Sequence, residues 1–126
     1  MYPTEMVAPM KAELVDAGYK ELLSVAEVTE ALDKSGTTLV AINSVCGCSA
    51  GSMRPAMIMA LDNEKLPDNL TTSFAGYDIE AVAHVRKFML PYPPSSPSIA
   101  LFKDGKIDLK DEDLKDLLTI LSKNKN

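Results

Sequence analysis

The first part of the chain places apolar residues at the spacing of an amphipathic helix. Four of them share one predicted face: Val7, Met10, Leu14 and Ala17. Pro9 is expected in the first turn of this helix, where its missing N–H costs little. Gly18 is expected to end the helix. Residues 19–23 then predict a short strand at the edge of a sheet.

A second helix and a central strand follow. Ser24 and Glu27 have capping-box spacing, which predicts a helix start at this point. The buried stripe of that helix is expected to be Val25, Val28 and Leu32. The run 37–43, TTLVAIN, is rich in β-branched and apolar residues and has no clean alternation. It therefore predicts a central strand that is covered on both faces.

The middle of the chain predicts two further helices around a weaker strand. Ala50, Met53, Met57 and Leu61 recur at helical spacing, and Pro55 is expected to kink this helix. Residues 70–75 predict a strand. Asp78 is expected to cap a helix whose apolar face comprises Ile79, Val82, Ala83 and Met89.

A proline-rich segment, residues 91–97, separates these helices from the last strands and cannot be helical. A strand at 98–102, a turn at Asp104-Gly105 and a returning strand at 106–109 predict a hairpin. A final amphipathic helix carries Leu114, Leu117, Leu118 and Leu121. The alternation of strands and helices predicts an α/β domain, with helices on both faces of a mixed sheet.

Composition narrows the class of protein. The 126 residues carry a formal charge of −5, with one histidine and two cysteines. This length favours one domain spanning residues 1–126. The net negative charge argues against nucleic acid as a partner. No apolar run has the roughly 18 residues that a membrane span needs. The opening residues 1–5 lack the pattern of a signal peptide, so we expect a cytoplasmic protein.

The two cysteines, Cys46 and Cys48, flank Gly47 directly after the predicted central strand and before a helix. Ligands of α/β sheets bind beyond the carboxyl ends of strands. The first turn of a helix favours a thiolate, so we expect a cysteine pKa below its usual value of about 8.5. Gly47 is expected to leave room for an incoming sulfur and to adopt unusual backbone angles. Arg54 can add positive charge near a bound anion, or it can point to solvent.

Two other interpretations of the cysteines remain open. The cysteines can be two small residues at a buried strand end. They can also belong to a zinc site, for which only His84 offers a further soft ligand. Against a structural disulfide, an i, i+2 bridge is expected to be strained and easily reduced. The segment Ser95-Ser96-Pro97 is either a rigid loop or the site of a cis peptide bond at Pro97.

The sequence resembles the bacilliredoxin family. The resemblance covers about residues 2–107 and is carried by NSVCGC at 43–48, Ala50-Gly51, Arg54-Pro55-Ala56, Phe74-Ala75-Gly76 and YPPSSPSIAL at 92–101. The opening Tyr2-Pro3 and the MVAPM stretch also match. The family implies a thioredoxin-like, three-layer α/β/α domain with a central mixed sheet, here with an N-terminal helical extension.

The resemblance also implies an activity and its site. Mixed disulfides between client proteins and a small thiol, bacillithiol or an analogue, would be the substrates. Cys46 would be the attacking thiolate and Cys48 its resolving or tuning partner. Pro97 would face the thiols in the cis form, and the Ser96 backbone would hold the substrate chain. No bound cofactor or metal is expected; the small thiol would be a co-substrate.

The chain departs from the family after the last predicted strand. Residues 106–109 run straight into the acidic Asp111-Glu112-Asp113, and the third cysteine common in the family is absent. The thiol that resolves the intermediate is therefore expected to be Cys48, or else a recycling thiol or reductase outside the chain. General disulfide reduction or isomerisation is the alternative activity, and a non-enzymatic partner- or metal-binding module is a second alternative. The oligomeric state stays open.

Overall fold

The computed structural model describes residues 2–34, 36–47, 49–62, 66–89 and 98–103, together with the backbone of 106–109. Its elements in chain order are α1 (Thr4–Val15), β1 (Lys20–Glu21), α2 (Val25–Asp33), β2 (Thr37–Asn43), a π-helical turn (Ser49–Met53), α3 (Arg54–Ala60), β3 (Asn69–Phe74), α4 (Ile79–Phe88), β4 (Ser98–Lys103) and β5 (Lys106–Leu109).

The five strands form one mixed sheet in the order β1-β3-β2-β4-β5. β1, β3 and β2 run parallel, whereas β4 pairs antiparallel with both β2 and β5. β2 therefore lies at the centre, with Ile42 in register with Ser73 on one side and Ser98 on the other. The central strand is confirmed over the predicted residues, and the edge strand β1 is confirmed in a shorter form.

Helices cover both faces of this sheet. Val40 and Ile42 of β2 pack with α2 and α4, while Leu39 and Ala41 pack with α1 and α3. Because successive side chains of a strand point to opposite faces, the unbroken apolar run of β2 supplies both layers of the core. The expected three-layer α/β/α arrangement is confirmed.

The first helix begins earlier than predicted. The backbone N–H groups of Met6 and Val7 already bond to the carbonyl of Pro3, at 3.1 and 3.3 Å, so Pro9 lies inside α1 and not in its first turn. The predicted end is confirmed. Gly18 has a φ of 117°, and the N–H of Tyr19 bonds back to the Leu14 carbonyl at 3.0 Å, which closes the last turn as in a Schellman motif.

The second helix has the predicted start and a different buried face. The Ser24 hydroxyl accepts the Glu27 N–H at 3.2 Å, which confirms the cap. Val28 and Leu32 are buried as expected, but Val25 is 41% exposed and Ala31 takes its place in the core. Val25 is the first residue of α2 and projects before the helix reaches the sheet.

The fourth helix also turns a different face to the core. Ala81, Val82 and Val85 are buried, whereas Ile79 is 53% exposed and Ala83 is exposed. Asp78 is the N-cap residue, but its carboxylate does not cap the helix. It accepts the Phe74 N–H at 3.0 Å and pairs with Lys11 of α1 at 3.3 Å. Asp78 thus ties α1 to the end of β3.

The helix after the cysteines is divided in two. A π-helical turn, Ser49–Met53, precedes α3, so Pro55 lies in the first turn of an α-helix. The π-helical turn continues into α3 without a break, since Met53 has helical backbone angles, so the regular helix is disturbed directly before the proline. The expected kink at Pro55 stays a prediction. The turn at 104–105, the proline-rich segment 91–97 and the final helix lie outside the described residues, although the antiparallel pairing of β4 with β5 confirms the hairpin strands.

Candidate functional site

Cys46 lies three residues beyond the end of the central strand. Asn43, the last residue of β2, and Ser44 are buried, whereas Cys46 is exposed. The N–H groups of Ser49 and Ala50 both point back to the Cys46 carbonyl, at 2.9 and 3.4 Å. Cys46 therefore stands where the strand gives way to helical backbone, which confirms the position predicted for it.

A polar network lies beneath this turn. The Asn43 side-chain oxygen accepts the Ser44 N–H and an Arg54 guanidinium N–H, each at 2.9 Å, and its amide nitrogen donates to the Met10 carbonyl at 3.1 Å. The Ser44 hydroxyl lies 2.8 Å from the Ser49 hydroxyl and accepts the Cys46 N–H at 3.3 Å. Since these groups are buried, the network fixes the backbone that presents the thiol.

Arg54 is part of this support. It is 3% exposed, its guanidinium donates to the Ser44 carbonyl at 2.9 Å, and its Nε forms a 2.8 Å ion pair with Glu13 of α1. The alternative that Arg54 points to solvent is therefore wrong. Its charge is engaged inside the fold, and a direct contact with substrate stays a prediction.

Sequence reasoning missed Asn43, Ser44 and Ser49. A signal for them is present, since Asn43 and Ser44 are polar residues that directly follow the apolar run 39–42 of the central strand. Polar side chains at such a position have to find buried partners. The partners themselves, on α1 and α3, are remote in sequence and only the fold brings them together.

Gly47 begins the helical backbone and does not adopt left-handed angles, so the expectation of unusual angles is wrong. Among the described residues, a Cβ at Gly47 would meet no heavy atom within 4 Å. Cys48, Ser96 and Pro97 lie outside the described residues, and their roles stay predictions.

A groove of about 620 Å³ opens beside the thiol and is called the thiol groove below. Its lining includes Cys46, Tyr2, Ile79, Ala83 and Arg86. Ile79 and Ala83, the exposed residues of α4 that were predicted to face the core, thus line the thiol groove instead.

The two short motifs at Tyr2 and Gly76 meet in this groove. Gly76 has a φ of 79°, and the Tyr2 N–H donates to its carbonyl at 3.2 Å. A Cβ at Gly76 would lie 2.5 Å from the Tyr2 ring, so the ring rests directly on the glycine. Only a glycine allows both this backbone angle and this close approach.

The alternative of a metal site finds no support in the described part of the chain. Within it, no group of three or more histidine, cysteine, aspartate or glutamate side chains is placed to hold a metal ion. The His84 ring lies 3.1 Å from the Thr29 hydroxyl and edge-on to Phe88. None of the helices of that same part is long and apolar enough to cross a membrane.

Comparison with known proteins identifies the family of the chain. The disulphide isomerase family model matches residues 2–110. A bacilliredoxin from Cytophaga hutchinsonii is 54% identical over 85% of this chain and 79% of its own length. Another bacilliredoxin, from Halalkalibacterium halodurans, is 52% identical over 81% of this chain and 72% of its own length.

Solved structures agree on the fold. Mitochondrial thioredoxin 3 from Saccharomyces cerevisiae has a TM-score of 0.57 at 16% identity, covering 82% of this chain and 95% of that one. Oxidised thioredoxin from Plasmodium falciparum has a TM-score of 0.52 at 15% identity, covering 83% and 99%. The architecture is thus that of thioredoxin, and by sequence the chain belongs to the bacilliredoxin family.

Proposed function

We propose that this thiol–disulfide oxidoreductase removes a small thiol, bacillithiol or an analogue, from mixed disulfides on client proteins. The Cys46 thiolate attacks the sulfur of the small thiol. The protein–small-thiol disulfide breaks, the client leaves as a thiolate and takes up a proton, and Cys46 now carries the small thiol. A second thiolate, from Cys48 or from outside the chain, attacks Cys46 and releases the small thiol. Over the whole cycle the mixed disulfide on the client is reduced, and the Cys46 thiol and the second thiol are oxidised to a new disulfide.

The observation that carries this proposal is the exposure of Cys46 at the start of helical backbone, beside a groove. The partial positive charge of helical N–H groups favours a thiolate over a thiol. We therefore expect the pKa of the Cys46 thiol to lie below its usual range, which supplies the nucleophile at neutral pH. The buried network of Asn43, Ser44 and Arg54 supports the same role, because it holds the attacking sulfur in place.

The proposed cycle needs two kinds of partner. Client proteins that carry mixed disulfides bring the substrate, and a thiol or reductase returns Cys46 to its reduced form. A cytoplasmic location fits this cycle, since cytosolic thiols are kept reduced. No bound cofactor enters any step.

The test is capture of the intermediate. A peptide bacillithiol mixed disulfide is mixed with wild-type protein, Cys46→Ser and Cys48→Ser, and the products are resolved by mass spectrometry. We expect Cys48→Ser to accumulate the bacillithiol adduct on Cys46 and Cys46→Ser to release no peptide thiol. Unchanged peptide release by Cys46→Ser would refute the proposal.

Alkylation at pH 6 tests the nucleophile separately. Iodoacetamide should modify Cys46 at least tenfold faster than the thiol introduced by Lys87→Cys, an exposed position on α4 outside the thiol groove. Equal rates would show that the turn does not activate the sulfur.

General disulfide isomerisation is the second candidate, because the family model that matches the chain is described as disulphide isomerase. The reduction potential of the Cys46–Cys48 couple separates the two classes of general activity. A value near −270 mV, about that of thioredoxin, favours reduction, and a value near −180 mV, about that of protein disulfide isomerase, favours isomerisation. Equal turnover of mixed disulfides with any small thiol would favour this second candidate.

A further inference from the structure

Arg54 brings a buried positive charge close to the Cys46 turn. Its Nη1 donates to the Ser44 carbonyl at 2.9 Å, and Ser44 precedes Cys46 by two residues. Because each residue advances the chain by at most about 3.6 Å, the guanidinium lies within roughly 12 Å of the Cys46 Cα. The Arg54 side chain is only 3% exposed, so water screens its charge weakly. A negative charge on the Cys46 sulfur is therefore formed in the field of this cation.

Hydrogen bonds also connect the guanidinium to the backbone of Cys46. The Asn43 side-chain oxygen accepts both the Arg54 Nη1 N–H and the Ser44 N–H, each at 2.9 Å. The Ser44 hydroxyl in turn accepts the Cys46 N–H at 3.3 Å. Since Asn43 and Ser44 are buried, these bonds hold the Cys46 backbone at a constant position relative to the charge. A cation held in this way favours a thiolate over a thiol.

Glu13 of α1 opposes the positive charge of Arg54. Its carboxylate forms a 2.8 Å ion pair with Nε, whereas Nη1 bonds to Asn43 and Ser44. The Glu13 side chain is 45% exposed, so the ion pair joins a buried cation to a carboxylate that is partly in water. An anion beside the guanidinium reduces the positive field that reaches Cys46. A surface residue of the N-terminal helix thus influences the charge under the thiol.

Other titratable groups also surround the turn in the described part of the chain. Tyr2 and Arg86, from the N-terminal segment and α4, line the thiol groove beside Cys46. Lys11 of α1 is engaged instead with carboxylates at the end of β1 and before α4. All of these groups are the same in every variant of the test, so differences between the variants report on the ion pair.

We propose that Arg54 is a positioning residue that favours the thiolate form of Cys46, and that its ion pair with Glu13 limits this effect. Glu13 thus sets how reactive the nucleophile is at a given pH. The inference rests on the proposed function, because it concerns the thiol that attacks the mixed disulfide. It requires no contact between Arg54 and the substrate.

Charge acts on a thiolate in two opposite ways. A stronger positive field raises the fraction of Cys46 that is ionised at low pH. It also makes the thiolate less basic and therefore less nucleophilic, with a Brønsted coefficient of roughly 0.4–0.5. Removing the charge of Glu13 should therefore accelerate disulfide exchange where Cys46 is mostly a thiol, and slow exchange where Cys46 is fully ionised.

The first measurement is the titration of Cys46, followed by the ultraviolet absorbance of the thiolate. All proteins are full-length and carry Cys48→Ser, so that Cys46 is the only thiol. Glu13→Gln is compared with Glu30→Gln, which makes the same change in net charge at an exposed position of α2, on the opposite face of the sheet. We expect the midpoint in Glu13→Gln to lie about 0.5 pH units below the midpoints of the background protein and Glu30→Gln, the effect of one charge at roughly 15 Å in a partly aqueous medium.

Arg54 is tested in the same titration. Arg54→Met should raise the midpoint by about 0.5 pH units, because the cation is lost. Arg54→Lys should restore part of the difference, since a lysine keeps the charge but not the planar set of donors. If Arg54→Met does not fold, the comparison of Glu13→Gln with Glu30→Gln decides the matter.

The second measurement is exchange with bis(2-hydroxyethyl) disulfide, an uncharged probe. The Cys46 thiolate attacks one sulfur of the probe, and 2-mercaptoethanol leaves as a thiolate and takes up a proton. At about one pH unit below the midpoint of the background protein, Glu13→Gln should react about 1.5-fold faster than that protein. At about two pH units above the midpoint it should react about 1.5-fold more slowly. Glu30→Gln should match the background protein at both pH values.

Equal midpoints in Glu13→Gln and Glu30→Gln would overturn the proposal. A rate change of the same sign at both pH values would overturn it as well, because that is what a displaced Cys46 backbone produces. The proposed function fails separately, if the protein with both cysteines releases no small thiol from a client peptide. The titration of Cys46 does not depend on that result.

Discussion

Replacing Arg54 by methionine should destabilise the protein by about 3 kcal/mol, because it removes two charge-assisted hydrogen bonds worth roughly 1.5–3 kcal/mol each. The lost bonds are those to the Asn43 side-chain oxygen and the Ser44 carbonyl, both 2.9 Å long and buried. The ion pair with Glu13 adds little, since Glu13 is 45% exposed and water replaces its partner. The apolar methionine side chain fills part of the space and offsets a fraction of the loss.

Urea denaturation at pH 7, followed by circular dichroism, measures this change. Glu13→Gln is the matched control, because it removes the ion pair and leaves both buried hydrogen bonds; it should cost less than about 1 kcal/mol. Equal losses in Arg54→Met and Glu13→Gln would refute the reasoning, since the ion pair would then carry the effect. A loss below about 1 kcal/mol in Arg54→Met would refute it as well.

Three further changes have expected outcomes that the same denaturation measurement checks. Gly76→Ala should lower the free energy of unfolding by about 2 kcal/mol, because φ is 79° and the new methyl group meets the Tyr2 ring. In a Tyr2→Ala background the loss should be only about 1 kcal/mol, since the clash with the ring is gone. An unchanged loss in that background would show that the ring contact does not contribute. Burial raises the pKa of Tyr19 from 10.0 to about 12. Between pH 10 and 12 the folded state therefore keeps a proton on Tyr19 that the unfolded state loses, and the free energy of unfolding should fall by about 2 kcal/mol over that range. In Tyr19→Phe the free energy of unfolding should depend less steeply on pH over the same range. An identical pH dependence in wild type and Tyr19→Phe would contradict the raised pKa. Ser24→Ala should cost about 1 kcal/mol through loss of the cap on Glu27, whereas Thr29→Ala in the same helix should cost less.

The N-terminal segment has a direct part in the candidate site. Tyr2 covers the turn at Gly76 and lines the thiol groove, while Met10 and Glu13 of α1 contact Asn43 and Arg54 under the Cys46 turn. This helix precedes the first strand and packs with α3 against one face of β2. Its contacts explain why the opening residues belong to the sequence pattern that the chain shares with its family.

Local patterns in the sequence were sufficient for much of the fold. The run 37–43 is rich in β-branched and apolar residues without clean alternation, which predicts a central strand covered on both faces, and the structure confirms it. Ser24 with Glu27 and Gly18 acted through hydrogen bonds and backbone angles within a few residues, and both predicted helix boundaries hold. Cys46 was located correctly for the same reason, since a strand end followed by a helix is a local feature.

Packing between distant segments determined what these patterns could not. Whether Ile79 faces the core or the thiol groove depends on where Cys46 and Tyr2 lie. Arg54 can be buried because two other segments supply its partners. Its donors bond to Asn43 and Ser44, and its charge pairs with Glu13. Such partners are between 10 residues apart, for Ser44 and Arg54, and 77 residues apart, for Tyr2 and Ile79, and no spacing rule links them. The sequence by itself therefore determined the strand, the thiol and the family, because those depend on short-range chemistry. The thiol groove with Arg86 in its lining, and the hydrogen-bond network of Asn43, Ser44 and Arg54 under Cys46, form only when α1, β2, α3 and α4 meet in three dimensions.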